Sequence, residues 1–424
     1  MQVNKPQIMV AQLGARMHYA VPALLQRAGM LSHFFTDVYV GRGSSLQMLP
    51  ELVSYLPEAW QPSELKRLLS RREDLLPPDK VTAFNLFGLS YSLALRRAAD
   101  LKALEKVYLD YGRRFCELII RKNFFQRVDG LYAFEGAALP LFQVAEESGA
   151  VNILEKFSAP KVIENQIISE EPRLWPGWEP PYPPEEDFQE RVKMQQREWD
   201  TAQAILCSCD FVAQGLSSLG VPAEKLHIVP YGVDIARFAV TREPWQGQRP
   251  LHVLFVGKIN LHKGVPYLYE ALRKLNPAGF TGRMVGPITI REPYRQQLRG
   301  KAELTGRVPR QEVPRHYAWA DVFVFPSLCE SSATVTFEAL AAGLPVITTP
   351  NVGSVVRDGE EGFIVPIRDA DAIAAKLELL AGDPNLLAQM SENAEARAKE
   401  FSWEKYGDHL IAAINKIISC QVVR

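Results

Sequence analysis

The run Pro326 to Glu338, PSLCESSATVTFE, sets two carboxylates, Glu330 and Glu338, on either side of small hydroxyl residues. The apolar stretch before it, Val322 to Phe325, reads as a buried strand running out into a turn. Ser331 and Ser332 are good N-cap residues for a helix that starts near Ala333. The first amides of such a helix, Ala333, Thr334 and Val335, have no backbone partner, and with the helix dipole they form an anion site. Glu338 follows about 6–7 Å further along, at ~1.5 Å per residue. One segment therefore offers a carboxylate for sugar hydroxyls, a cradle for a diphosphate and a second carboxylate for a ribose. On spacing alone, an ordinary helix beside an exposed Glu330 explains the pattern equally well.

A second block sits upstream. Phe255-Val256-Gly257-Lys258 leaves a strand, and Lys263-Gly264 opens the next helix. Two lysines at one strand-to-helix turn can converge on a diphosphate and stabilise it as it departs. Standing alone, they would be solvated lysines. Both blocks occur in the same half of the chain, in the order a donor-binding unit would need.

These residues must be held by strands and helices in alternation. Gln7 to Gln12 reads as a first buried strand, Leu13 to Arg16 as a turn around Gly14, and Tyr19 to Ala28 as a helix capped by Gly29. Leu131 to Ala133, Val151 to Leu154, Ala204 to Ser208 and Leu226 to Pro230 read as further strands, with helices at Ala137 to Glu147 and Phe188 to Thr201. A second series begins after Pro250, with strands at Leu251 to Val256, Arg283 to Val285, Asp321 to Phe325 and Pro345 to Thr348. Its helices fall at Pro266 to Leu275 and Thr334 to Ala342. The pattern predicts two α/β halves with parallel sheets and a cleft between them, ligands lying beyond the carboxyl ends of the strands. The halves meet near 231–249, and Trp403 to Ile418 reads as a final amphipathic helix.

Two stretches fit less simply. Residues 60–125 read as helices broken at Pro77-Pro78. Between Lys66 and Arg127 basic residues outnumber acidic ones and alternate with Phe84, Phe87, Tyr91, Phe124 and Phe125, as a surface touching anionic lipid would. The plainer account is a solvated helical face over a normal core. Residues 170–187, EEPRLWPGWEPPYPPEED, read as a loop or extended segment. Its Trp175, Trp178 and Tyr182 either stack on a bound sugar or pin the loop down.

Composition narrows the classes. The 424 residues exceed one ordinary core and suit two domains. A balance of 48 basic against 49 acidic residues argues against a nucleic-acid binder. Cys116, Cys207, Cys209, Cys329 and Cys420 show neither a disulfide framework nor zinc spacing. No secretion signal or membrane-spanning run is visible, so a cytoplasmic location, with peripheral contact at the inner membrane face through residues 60–127, is the expectation.

With these motifs in place, the chain resembles the retaining family-4 glycosyltransferases (glycosyl transferases group 1). The resemblance runs from about 200 to 420. It rests on Glu330 and Glu338, on Lys258 and Lys263-Gly264, on Pro230-Tyr231-Gly232-Val233-Asp234, on Leu304 to Val308, on Glu338 through Pro345 (EALAAGLP) and on Phe401-Ser402-Trp403. The first half matches more loosely, through Gly14 and RMHYAVPALLQRAG. The resemblance implies a GT-B fold, two Rossmann-like domains facing each other across a cleft. Residues 1–230, completed by helix 403–424, would form the acceptor-side domain, and 231–402 the nucleotide-sugar domain. It further implies Glu338 on the ribose, Glu330 at sugar hydroxyls near the reacting carbon, and Lys258, Lys263, Gly257, Ser332 and the amides of Ala333 to Val335 around the diphosphate. Arg307 and Val308 would flank the base. Gly14, with no side chain, would let the first half approach the phosphates. Transfer from a UDP- or GDP-sugar to a saccharide, lipid-linked sugar or small molecule would retain configuration. It would need neither metal nor cofactor and would suit cell-envelope polysaccharide or glycolipid synthesis.

One departure from the family stands out. Its members often carry a histidine at the end of a strand in the first domain, where Glu155 or Lys156 stands here. His18 is a possible substitute. Asp369-Ala370-Asp371 imitates a metal-binding DxD but reads as a helix cap. The rival readings are a nucleotide-sugar epimerase, a phosphorylase and a non-catalytic sugar-nucleotide scaffold.

Overall fold

The computed structural model describes residues 5–54, 68–125 and 128–422. The chain builds two parallel sheets. The first has strand order β3-β2-β1-β4-β5-β6-β7. Its strands are β1 (Ile8–Gln12), β2 (Leu31–Thr36), β3 (Val81–Ala83), β4 (Gly130–Phe134), β5 (Val151–Lys156), β6 (Ala204–Cys207) and β7 (Leu226–Ile228). The second runs β10-β9-β8-β11-β12-β13. It comprises β8 (Leu251–Val256), β9 (Phe280–Val285), β10 (Ala302–Gly306), β11 (Val322–Phe325), β12 (Val346–Thr348) and β13 (Gly362–Ile364). Central strands such as β1, β4 and β11 are buried along their whole length, which is why they read as unbroken apolar runs.

In each sheet the strand order reverses once, between β1 and β4 in the first and between β8 and β11 in the second. Such a reversal leaves a crevice at the carboxyl ends of the two strands, because their crossover helices lie on opposite faces. Gly14 follows β1, Lys258 follows β8 and Glu330 follows β11. The motif residues therefore hang from the switch points. The sequence shows this order as a list, and the sheet turns it into a place.

The sheets separate between Ile228 and Leu251, but the cores do not. Tyr406, Leu410, Ile414, Ile417 and Ile418 of the Trp403–Val422 helix pack into a core with β1, β4 and β5. In the other direction, Ala159, Ile168 and Trp178 belong to the core of the second sheet. The crossing is fastened by Glu171, which is fully buried. Its carboxylate accepts from Arg368 Nε at 2.7 Å and from the Tyr267 hydroxyl at 2.9 Å.

Several local expectations are corrected. Strand β2 lies where the sequence analysis assigns no element, and β3 lies within the stretch read as helices. β3 is only three residues long and half-buried, too short for a period to show. The 170–187 segment contains a short helix, Glu171–Leu174, begun by Pro172 near its start. Its aromatics pin the loop. Trp178 is buried and stacks on Tyr294 at 5.2 Å between centroids, Trp175 meets Tyr267 edge-on at 5.4 Å, and the Tyr182 hydroxyl donates to Asn165 at 2.8 Å.

In the basic stretch, Phe84 and Phe87 pack on Phe115, Tyr91 stacks on Tyr111 and Phe125 is buried. Phe125 is core, Phe84, Phe87 and Tyr91 are half-buried, and Phe124 is exposed. Leu86, Leu89 and Leu93 of the Asn85–Arg97 helix are exposed. Residues 60–67, 126 and 127 of that stretch lie outside the described residues. Among the described residues no helix is long and apolar enough to cross a membrane.

Candidate active site

The loops after β8 and β11 are pressed together. Gly264 has φ +65°, and a Cβ there would lie 2.0 Å from the Pro326 carbonyl oxygen. Only glycine fits a left-handed residue with that neighbour. Asn260 Oδ1 accepts from the Lys263 amide at 3.0 Å and shapes the turn. Leu328 N–H donates to His262 O at 3.0 Å, and His262 Nε2 sits 2.6 Å from Cys329 O. This zipped geometry brings Lys263 Nζ into an ion pair with Glu330, 67 residues further along. The Ser327 hydroxyl donates to the same carboxylate oxygen at 2.9 Å.

Burial lowers the Lys263 pKa to about 8, and the nearby Lys258 charge works in the same direction. The charges of Cys329 and Glu164 oppose both. Lys258 itself is exposed, and among the ion pairs of the described residues none involves it. Gly257 precedes Lys258, and a Cβ there would lie 3.1 Å from the Phe325 ring and 3.3 Å from that of Phe255.

Glu338 sits one turn into the Thr334–Ala341 helix and accepts from the Tyr317 hydroxyl at 2.9 Å. Burial raises its carboxyl to about 7, against the Tyr317 hydrogen bond and the charges of Arg310 and Arg237. Tyr317, Arg310, Arg237 and Ser327 escape a reading of spacing, since each comes from a different element. Arg310 also contacts His18 across the line between the halves. Burial, then Arg310 and Arg237, hold the His18 imidazole below its ordinary pKa.

The start of the Thr334–Ala341 helix differs from expectation. Its cap is Ala333, with no side-chain bond. Ser331 points away and donates to Phe157 O in the other half, while Ser332 Oγ is buried without a partner. The loop at 350–352 supplies what a serine cap would. Glu330 N–H donates to Asn351 O at 2.8 Å and Ala333 N–H to Val352 O at 3.2 Å. Thr334 N–H is taken by Ser332 O at 3.0 Å, so this turn has fewer free amides than a plain helix start, Val335 being the next in line.

The remaining candidates divide. Gly14 has φ +88° and open space where a Cβ would go, and its N–H donates to Asp37 Oδ1 at 3.0 Å. Arg307 is exposed and Val308 half-buried against the second core, both just after β10. Glu155 and Lys156 are buried and committed elsewhere. Glu155 accepts from Tyr132 and, at 2.7 Å, from Tyr231, while Lys156 Nζ lies 2.5 Å from Glu135 Oε2 and 2.6 Å from Ser158 O. Neither is free to meet a sugar as the sequence reading allows. Asp369 caps the Ala370–Gly382 helix, accepting from Ala372 N at 2.8 Å, and Asp371 pairs with Lys274.

Residues 250–383 match the model of the family described as glycosyl transferases group 1. Over 227 residues it is 31% identical to WcaL of Salmonella typhimurium, a candidate glycosyltransferase of colanic acid biosynthesis, covering 49% of this chain and 55% of that one. Over 236 residues it is 30% identical to the D-inositol 3-phosphate glycosyltransferase of Paenarthrobacter aurescens, covering 51% and 58% respectively. The chain thus spans about half the length of the curated relatives it matches. Among solved structures, sucrose-phosphate synthase of Thermosynechococcus elongatus superposes with a TM-score of 0.68 at 16% identity, over 98% of this chain and 100% of that one. HepE of Anabaena superposes at 0.64 and 14%, over 97% and 100%. At these identities the likeness is one of fold, and the fold is GT-B.

Proposed function

We propose that the protein is a retaining glycosyltransferase that takes a sugar from a nucleoside-diphosphate sugar. The observation that carries this reading is the meeting of Lys263 and Glu330 at the β8–β11 switch point, with Glu338 one helical turn beyond. A cation, a carboxylate and a half-buried carboxylate in that order suit diphosphate, sugar and ribose. Lys263 and Lys258 neutralise the leaving nucleoside diphosphate, which explains how such a site works with no metal. Lys263 pairs with Glu330. An entering diphosphate takes over the ammonium and frees Glu330 for sugar hydroxyls.

In the reaction, the bond from the anomeric carbon to the β-phosphate oxygen breaks, and the acceptor hydroxyl oxygen bonds to the same face. The hydroxyl proton passes to the departing phosphate. HepE has been solved with UDP and with UDP-glucose, which supports UDP-sugars as the first donors to test. The names of the relatives support an acceptor in glycan or cell-envelope synthesis.

The test is a thermal-shift screen with UDP-, GDP-, ADP- and CMP-sugars, followed by donor hydrolysis without acceptor. One nucleotide class should raise the unfolding temperature, because a ligand of the native state alone stabilises it. It should also be slowly hydrolysed. Tight nucleotide binding with no release of sugar from any donor would favour a scaffold instead.

A further inference from the structure

The first half holds a second group of residues that the donor reading does not use. Arg16 follows the Gly14 turn, and its guanidinium carbon lies 3.1 Å from the centre of the Phe157 ring. The Phe157 carbonyl accepts from Ser331, the neighbour of Glu330, so Arg16 stands beside the proposed reacting centre. Arg191, on the Gln189–Thr201 helix, reaches the turn after β4. A Cβ on Gly136 would lie 2.7 Å from its Nη1. Both guanidinium charges act on the hydroxyls of Tyr91 and Tyr108, which come from two further helices. Burial keeps both phenols neutral.

The carboxylates around this group are already committed. Glu135 is paired with Lys156 at 2.5 Å and also accepts from Ser158 at 2.5 Å and Gln195 at 3.1 Å. Glu198 accepts the amides of Gly136 at 2.9 Å and Ala138 at 3.2 Å. Glu155 is held by Tyr132 and Tyr231, and Asp37 is paired with Arg71 at 2.7 Å. Among the described residues neither Arg16 nor Arg191 has an ion-pair partner. The charges of Glu135, Glu155 and Glu198 reach the two arginines only at a distance, with no direct ion pair, and Arg16 is exposed while Arg191 is half-buried.

Two further observations lie beside Arg16. Gln12, fully buried at the end of β1, donates through Nε2 to Gly14 O at 3.0 Å and Arg16 O at 2.9 Å, but its Oε1 has no partner. A buried acceptor left open costs about 1–3 kcal/mol unless something donates to it. Next to Arg16, the non-glycine residues Met17, His18 and Tyr19 have φ of 47°, 51° and 64°. Left-handed backbone of this kind costs about 1–3 kcal/mol per residue and is concentrated at binding sites.

We propose that Arg16 and Arg191, framed by Tyr91 and Tyr108, hold an oxyanion of the acceptor. The acceptor is then a sugar carrying a phosphate or a carboxylate, and the two arginines recognise that group while its hydroxyl faces the donor. A guanidinium offers a planar fork suited to either anion, and neutral phenols add hydrogen bonds without repelling it. This inference rests on the glycosyltransferase reading for the word acceptor, but not for the anion preference.

Titration calorimetry on the full chain, saturated with its nucleoside diphosphate so that Lys258 and Lys263 are occupied, tests it. The probes are glucose 6-phosphate, glucuronate and glucose. At least one anionic sugar should bind ten times or more tighter than glucose, and the stronger arm identifies phosphate or carboxylate. Arg16→Gln and Arg191→Gln should each remove most of that preference, and Arg191→Lys should keep part of it. Their unfolding temperatures should fall only slightly, since no direct ion pair is lost among the described residues. Equal binding of all three sugars would overturn the proposal, as would a preference that survives in the double Gln variant. A large loss of nucleotide affinity in Arg16→Gln would also overturn it, by moving that residue to the donor site. Absence of nucleotide binding in the unmodified protein would sink the glycosyltransferase reading alone, while the sugar preference would still report on the arginines.

Discussion

The two halves carry similar sheets but assemble their sites differently. In the second half, Lys258, Lys263 and Glu330 come from two loops at one switch point, and Glu338 from the helix that follows. In the first half, Gln12, Arg16, Tyr91, Tyr108 and Arg191 come from a strand, a turn and three helices. The donor-side residues sit in short runs with fixed spacing. The arginine group exists only because packing brings distant elements together. A site built on adjacent loops leaves a mark in sequence, and one built on helix packing does not.

Glycine use sharpens the contrast. Gly264 is required by a protein neighbour, the Pro326 carbonyl, whereas Gly14 has empty space beside it. The first glycine builds the site, and the second leaves room in it.

The comparison can be broken first at its strongest point. Lys263→Ala and Glu330→Ala should each lower donor turnover by about a thousandfold, the scale of losing one main transition-state contact. Arg16→Gln and Arg191→Gln should lower transfer to an anionic sugar more than donor hydrolysis without acceptor. Near-normal turnover in either donor-side variant, measured with the true substrates, removes the assignment. Glu171→Ala comes next. It removes the buried acceptor of Arg368 and the Tyr267 hydroxyl, while Arg368 keeps Glu170 at 2.7 Å, and chemical unfolding should show a loss of about 1–3 kcal/mol. A change below one kcal/mol would mean that the crossing segment does not hold the halves.

The glycines differ in kind. Gly264→Ala should abolish nucleotide binding, because the two loops cannot close against a Cβ. Gly14→Ala should cost about 1–2 kcal/mol of stability from its left-handed backbone, yet fold with the donor loops intact. Thermal unfolding with and without nucleotide separates the two, and equal effects would erase the contrast.

The smallest effect concerns pH. If ionised Glu338 accepts ribose hydroxyls, nucleotide affinity should rise from pH 6 to 8 and level off, because burial places its carboxyl near 7. Glu338→Gln should flatten that rise. In the ligand-free protein the sign is reversed. The unfolded carboxyl ionises near its ordinary 4.5 and the folded one near 7, so this group's contribution to stability falls between those values and is constant above them. A pH-independent affinity would take Glu338 out of nucleotide binding.

The sequence by itself determined the two α/β halves, because buried parallel strands are unbroken apolar runs that need no partner to be recognised. It also determined the donor segment, because Lys263-Gly264 and the Glu330–Glu338 run are each local in the chain. Tertiary structure decided the rest. It chose Ala333 over the serines as cap, since the 350–352 loop takes over the amides there. It turned Trp178 into core and assigned Glu155 and Lys156 to buried partners. Among the described residues it also left Arg16 and Arg191 without an ion-pair partner. Whether a charged residue is spent or available depends on what stands within about 4 Å of it in space, and spacing along a chain carries no record of that.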